Sequence, residues 1–387
     1  MSRIKSIDII TSPFCCIPPH AIGAVEKLWK SCGDYFMSKG IKVVFVCKRP
    51  DNGLNADCLY VSGYDRTGSW LKDFLLDFVY SFKALRNAPR ADVVVLNTIW
   101  SPVLLPLFRR KFKVSIYNVA RFPKHQFGFY RAVDALSCVS MAVYDSLVRQ
   151  TSSAKGKSCV ISNFIDTEVF RSHRPHVLPE VPCVVYSGRI NREKGLDLLV
   201  KAVDKVRKSR KVSLKLIGAY DVERGGSGRI YKKELDRLAD GWDIEWVSPI
   251  YSPTKLAEEI DKGDIFCYPS VADKGETFGV APLEAMALGL PTIVSDLACF
   301  KDFIRDNENG LVFNHCSAFA VDELSKCINS LLCDKDLYAL LSENAVTTSH
   351  SFSVKAKAEE YLSLFENLCS FGVTGFDCVK RRIIRLG

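Results

Sequence analysis

Apolar runs of strand length alternate with amphipathic stretches along almost the whole chain, and this alternation narrows the fold more than any other feature. The runs fall at residues 7–11, 41–47, 57–62, 91–97, 114–119, 135–139 and 159–162, and then at 183–187, 213–217, 244–247, 265–268, 292–295 and 311–313. Helical patterns occupy 23–38, 70–86, 103–110, 141–150, 196–207, 231–239, 254–262 and 282–288, with further helix to residue 369. Strands that alternate with helices predict parallel sheets covered on both faces. The punctuation agrees: Ser252 before Pro253 starts a helix, Gly40 ends one, and Gly289 with Pro291 ends another.

A Pro-rich stretch, residues 173–182, interrupts the pattern, which then restarts. The chain of 387 residues has material for two cores. The reading is α/β throughout: two Rossmann-like, doubly wound domains, 1–175 and 176–370, facing across a cleft, with the tail 371–387 packing back on the first. Open parallel sheets bind ligands beyond the carboxyl ends of their strands, and ligand pockets concentrate where domains meet.

Composition excludes several classes. Hydrophobic residues at 48% and charged residues at 25% are globular values, not those of a disordered chain. The longest apolar candidate, 93–108, carries Asn97, Thr98, Ser101, Pro102 and Pro106, so no membrane-spanning helix is expected. The opening segment is broken by Asp8 and Pro13 too soon for a leader peptide. Fifteen cysteines without a C-x-x-C pair, mostly inside apolar runs, read as core thiols of a reducing, cytoplasmic compartment. His173 and His176 have no third ligand nearby, and no metal site is expected. Charge is uneven: residues 1–170 carry +10, 171–370 carry −4 and the tail +3. The basic parts suit an anionic partner or, alternatively, form a solvated face. No aromatic RNA-binding motif accompanies them, so nucleic acid is not an expected partner.

Two loops carry the chemistry. In YSGRINREKGLDLL a buried strand ends at Ser187-Gly188, and Arg189 and Lys194 precede a helix opening at Gly195. Two cations beside a helix N-terminus suit a phosphate; a basic loop facing water is the plainer reading. In YPSVADKGETFGVAPLEAMALGLPTIVSD a helix is expected near Pro282, with Ala281 a poor cap, so its first amides are free to cradle a diphosphate or sugar hydroxyls. Gly279 permits close backbone approach, and Glu276 and Glu284 flank the cradle, able to accept hydrogen bonds from vicinal hydroxyls. For Glu284 a helix-dipole role is the plainer alternative, and for Glu276 a solvated loop acid.

With Arg189, Lys194 and Glu276-x7-Glu284 in place, the chain resembles the retaining glycosyltransferase family 4, of GT-B fold. Residues 17–46 resemble the family's glycine-containing loop and first long helix, and SNFIDTEVF resembles the end of its first domain. The resemblance implies a nucleotide-sugar donor, UDP ahead of GDP, on the second domain. Arg189 and Lys194 would hold the diphosphate, Glu284 the ribose, and Glu276 the transferred sugar beside the backbone of Phe278 and Gly279. Gly23 would let the first domain's backbone approach the phosphates, with a glycan or lipid-linked acceptor on that domain. It further implies work on a cell-surface polysaccharide such as lipopolysaccharide or O-antigen. With Arg189, Lys194 and helix amides to meet the diphosphate, no metal and no separate cofactor are expected; the expected location is the cytoplasm or, on the interfacial reading of residues 69–90 below, peripheral on the membrane's inner face. Departures are Ala21-Ile22-Gly23-Ala24 where the family has adjacent glycines, and Asn118 where many members have histidine; His125 is a substitute to test.

Trp70, Phe74, Phe78 and Phe82 recur at four-residue spacing beside Lys72, Lys83, Arg86 and Arg90. They form either an interfacial face for an anionic membrane or a buried helix stripe. Rival functions are a nucleotide-sugar epimerase or hydrolase, and a non-catalytic binding protein. A dinucleotide oxidoreductase would need the G-x-G-x-x-G that residues 225–228 do not supply.

Overall fold

The computed structural model describes residues 4–17, 23–50, 55–172 and 177–372. His173, His176, Ala21 and the tail cations Lys380, Arg381, Arg382 and Arg385 lie outside the described residues. Among those described, the strands are β1 Ser6–Ile10, β2 Lys42–Lys48, β3 Cys58–Val61, β4 Ala91–Leu96, β5 Phe112–Val119, β6 Ala135–Cys138, β7 Ser158–Val160, β8 Cys183–Ser187, β9 Ser213–Ile217, β10 Glu245–Val247, β11 Ile265–Tyr268, β12 Thr292–Ser295 and β13 Leu311–Phe313. The helices are α1 Ala24–Ser38, α2 Trp70–Asn87, α3 Ser101–Phe108, α4 Met141–Gln150, α5 Leu196–Arg207, α6 Gly228–Leu238, α7 Pro253–Ile260, α8 Val280–Ala287, α9 Ala320–Cys333, α10 Lys335–His350 and α11 Val354–Phe371.

The chain folds as two compact units, residues 1–164 with 354–387, and 165–353. The first holds a parallel sheet in the order β3-β2-β1-β4-β5-β6-β7. Ile7 of β1 stands opposite Val43 and Val93, so its neighbours on both sides present apolar side chains to the same face. That face, with Ile9, Val95 and Ile116, is covered by Trp29 and Phe36 of α1 and by Tyr361 and Phe365 of α11. The other face, with Ile10, Val94 and Leu96, is covered by α2, α3 and α4. The second unit holds a parallel sheet in the order β10-β9-β8-β11-β12-β13, with α5 against α6 and α9, and α8 against α7 and α10. Each sheet is doubly wound: the first strand of each lies inside the sheet, and the order reverses beside it.

Several boundaries differ from the sequence pattern, and helix α6 begins at Gly228, three residues before its pattern. The units divide at 164/165 and 353/354, not within 173–182 or after 370. Ile165 already donates its N–H to the Phe352 carbonyl and bridges Ser353, which ties it to the second unit. Helix α11, by contrast, fills the first unit's core. Helix α3 begins at Ser101, two residues earlier than its pattern, and a 3-10 turn over Arg109–Lys111 follows it. Helix α8 also starts two residues early, at Val280, because Gly279 takes a left-handed conformation (φ 87°) as its N-cap and Pro282 is tolerated within the first turn. The described cysteines form no disulfide, and no described helix is long and apolar enough to cross a membrane.

Candidate active site

The loops that leave β8 and β11, adjacent parallel strands, are joined at their base. The Glu193 carbonyl accepts from the Val271 N–H (2.9 Å) and the Ser270 hydroxyl (3.2 Å), and Ser295 at the end of β12 donates to the Ser270 carbonyl (2.5 Å). Gly195 sits at φ 62°, where a Cβ would run into the Pro269 carbonyl oxygen, so the first loop can turn into α5 only with glycine there.

This seam places Lys194 and Glu276 together. Lys194 Nζ lies 2.5 Å from Glu276 Oε2, and both side chains are nearly buried, at 8% and 11% exposure. The Tyr268 hydroxyl donates to the same oxygen at 3.2 Å, and Lys194 stands over the Tyr268 ring at 5.0 Å. Tyr186 stacks on Tyr268 at 5.4 Å and donates to the Arg189 carbonyl, which fixes the turn that carries Arg189. Burial, and then the Glu276 charge, hold both tyrosines well above the usual phenol range. They act here as neutral donors and packing. A buried cation against a buried carboxylate is a contact that tertiary structure must hold, because each charge alone would be strongly destabilising.

Arg189 lies on the same strand edge. Its guanidinium rests against Gly225, in a glycine-rich loop after β9 that binds back to the first loop: Ser227 N–H reaches the Ile190 carbonyl and Asn191 Nδ2 the Gly225 carbonyl. Asn191 Oδ1 is buried without a hydrogen-bond partner among the described residues. Gly225, Gly226 and Gly228 were legible only as a failed dinucleotide motif; their place is beside Arg189.

Of the remaining expected residues, Gly279 caps α8 without a side-chain bond, which leaves that helix's first amides uncapped as the sequence suggested, although through Gly279 rather than Ala281. Phe278 is fully buried against Phe303 and Phe352, so only its backbone can face a ligand. Glu284 falls in the second turn of α8, not the first, which weakens the dipole explanation for it. Gly23 is the N-cap of α1 in the first unit. There Asn118 is buried and donates to Asn97 Oδ1 (3.0 Å), whereas His125 is exposed in a left-handed turn after the strand edge.

Sequence reasoning missed two groups. Glu26, in the first turn of α1, is buried; burial raises its carboxyl, and hydrogen bonds and the charges of Arg121 and Arg66 partly oppose that. In the second unit, His315 Nδ1 lies 2.5 Å from Asp296 Oδ1, and its Nε2 lies 3.6 Å from Asp273 in the Glu276 loop. Burial pushes the Asp296 carboxyl up, but the His315 ring and N–H more than offset this and hold it below the usual range. Both residues just follow β12 and β13, which only the folded sheet makes neighbours, so the sequence carried no signal for their pairing. Among the described residues, no group of three His, Cys, Asp or Glu side chains is placed to hold a metal.

Comparison with known proteins gives first the class. Residues 170–348 match the family described as glycosyl transferases group 1. The two doubly wound parallel sheets are those of the GT-B fold. The individual relatives are distant. The chain is 24% identical over 290 residues to the sulfoquinovosyl transferase SQD2 of Arabidopsis thaliana, covering 72% of this chain and 52% of that one. It is 27% identical over 287 residues to a phosphatidyl-myo-inositol mannosyltransferase of Mycobacterium tuberculosis, covering 72% and 69%. The chain thus spans about half the length of the first relative and about two thirds of the second. Among solved structures it is similar to Anabaena Alr3699/HepE in complex with UDP and glucose, with a TM-score of 0.71 at 16% identity, covering 94% of this chain and 99% of that one.

Proposed function

We propose that the chain is a retaining, family 4 type glycosyltransferase that moves a hexosyl unit from a nucleotide-diphosphate sugar to a glycan or lipid-linked acceptor in cell-surface polysaccharide assembly. The donor is a UDP-sugar ahead of a GDP-sugar. The observation that carries the reading is the buried Lys194–Glu276 pair, set beside Arg189 and the uncapped start of α8 on the strand edge where open sheets take ligands. The names of the relatives support sugar transfer, one of them to a phosphatidylinositol, and the Anabaena complex supports a UDP donor.

On this reading Arg189, Lys194 and the α8 amides meet the diphosphate. When the anomeric C–O bond breaks, negative charge grows on the departing diphosphate, and preorganised cations there lower the barrier without a metal. The acceptor oxygen bonds to the anomeric carbon on the same face, and its proton passes to the departing phosphate oxygen, so no enzyme nucleophile is needed. Without donor, Lys194 is held by Glu276. A phosphate draws Lys194 toward itself and releases Glu276 to accept from a sugar hydroxyl, while Glu284 accepts from the ribose.

The test is thermal unfolding with UDP, GDP, ADP, CMP and NAD. A nucleotide at about 100 times its dissociation constant adds about 2.7 kcal/mol of stability. Stabilisation by UDP or GDP that is lost in Arg189→Ala is the expected result. No response to any nucleotide sinks the reading, and a response to NAD alone transfers it to an oxidoreductase.

A further inference from the structure

Helix α2 is apolar on the wrong side. Its inner face, Tyr80, Ser81, Ala84 and Leu85, is buried on the sheet as expected. Its outer face carries Leu71, Leu75, Phe78, Val79 and Phe82, at the i, i+4, i+7, i+8, i+11 spacing of a single stripe, and all five are exposed, Leu71 at 53% and Leu75 at 57%. Trp70 extends the stripe at one end with 77% exposure. The edge-to-face contact of Phe82 with Phe108 continues it onto α3, where Leu107 is 70% exposed. The aromatic periodicity therefore divides. Phe74 packs on Trp100 at 4.9 Å and serves the fold; Phe78 meets the same ring edge-to-face at 5.1 Å yet stays partly in solvent, and Trp70 and Phe82 are exposed beside it. Monomeric proteins seldom leave so continuous an apolar surface uncovered.

The charge around the stripe selects what covers it. Lys72, Arg86, Arg90 and Arg110 are exposed around it, and Lys83 lines the groove of about 470 Å³ between Phe78, Phe82 and Arg86. The acids of the helix are withdrawn: Asp77 is buried, accepting from the Trp100 N–H, and Asp73 is taken by Thr67. An apolar stripe with an indole at its end and cations along its border is the pattern of a helix that lies in the plane of an anionic bilayer, apolar groups among the acyl chains and cations on the headgroup phosphates. A second copy of the same face suits it less, because a two-fold pairing would set the same cations against one another. We infer that the outer face of α2, continued by Leu107, docks this protein on an anionic phospholipid surface. The inference goes beyond glycosyl transfer, since no residue of the candidate active site takes part.

The test is sedimentation of the full chain with vesicles of equimolar phosphatidylglycerol and phosphatidylcholine, and with phosphatidylcholine alone. Binding to the anionic vesicles only, weakened by high salt, is expected. Each exposed cation near a bilayer is worth about a five-fold change in binding, so Arg86→Ala with Arg90→Ala should weaken it about 25-fold. Leu71→Glu with Leu75→Glu should abolish it while melting temperature and the nucleotide response stay at wild-type values, as solvent-facing positions allow. Failure of the wild type to bind anionic vesicles at low salt overturns the inference, as does wild-type binding by the Leu71/Leu75 variant. A concentration-dependent dimer that the same variant dissociates overturns it in favour of a second copy. Because donor binding is read separately, loss of vesicle binding with an intact UDP response condemns this inference alone.

Discussion

Each unit buries a carboxyl group near the middle of its sheet, and the two are treated differently. In the second unit Glu276 meets Lys194 at 2.5 Å and accepts from Tyr268, so its charge is answered by a cation and a hydroxyl. In the first, Asp8 sits inside β1 at 1% exposure, with Oδ2 lacking a hydrogen-bond partner among the described residues. Burial pushes its carboxyl up to about 7, against the opposing charges of Lys111 and Lys42. Lys111 is occupied elsewhere: its ammonium donates to the Leu85, Arg86 and Ala88 carbonyls and closes the C-terminal end of α2. The same kind of sheet thus buries one acid against a cation and another that folding prefers neutral.

The pairing in the second unit is the easiest to break. Lys194→Ala leaves the buried Glu276 without its cation, with only the Tyr268 hydroxyl against it, and should reduce stability by about 3–5 kcal/mol in denaturant unfolding. Turnover, measured under conditions where the variant is folded, should fall by about 10²–10³. Lys194→Met with Glu276→Leu should recover most of the stability and none of the activity. If the single variant is as stable as wild type, the pair is not the buried contact described.

The Asp8 side of the contrast predicts the opposite sign. A carboxyl whose folded value is raised binds its proton more tightly when folded. Its stabilising share is therefore full below the unfolded value of about 4 and is lost as pH rises to about 7. Above that, a carboxyl held near 7 disfavours the folded state by up to about 4 kcal/mol. Asp8→Asn should match wild type below about pH 4 and exceed it in melting temperature at pH 8. Equal melting of the two proteins at pH 8 would remove the contrast.

The smallest effect belongs to Asp296, depressed rather than raised. A lowered carboxyl contributes stability above its unfolded value of about 3.9 and loses it as pH falls through the folded value. His315→Ala should therefore move the acid limb of the stability curve to higher pH. At neutral pH the loss should be about 1 kcal/mol, since Asp296 is 39% exposed and screened by water. An unmoved acid limb would show that the ring does not hold this carboxylate.

What the sequence disclosed follows from what each signal measures. Strands such as Cys183–Ser187 and Ile265–Tyr268 were legible to the residue because they are apolar runs between polar loops. The loops that carry Arg189, Lys194, Glu276 and Gly279 were legible because they stand where strands give way to helices. Asp8 was read only as a charge that spoils a leader peptide, since nothing local says that neighbouring strands will seal it in. The pairing of His315 with Asp296 was invisible because the two are adjacent only after β12 and β13 align. In α2 the periodicity marked an apolar face, but which of two apolar faces the sheet would cover depends on packing that periodicity does not contain.

Helix α11 has a consequence for the order in which this chain is made. Tyr361 lies 4.9 Å from Trp29 and Phe365 lies 6.0 Å from Phe36, so the first unit's core is closed by residues that emerge only after the entire second unit. At bacterial or eukaryotic elongation rates the early strands wait roughly 10–40 s for their last helix. During that time the face with Ile7, Ile9 and Val95 lacks the cover that α11 brings, while the second unit, an uninterrupted segment, can complete itself. The unit translated first is therefore the one that finishes last.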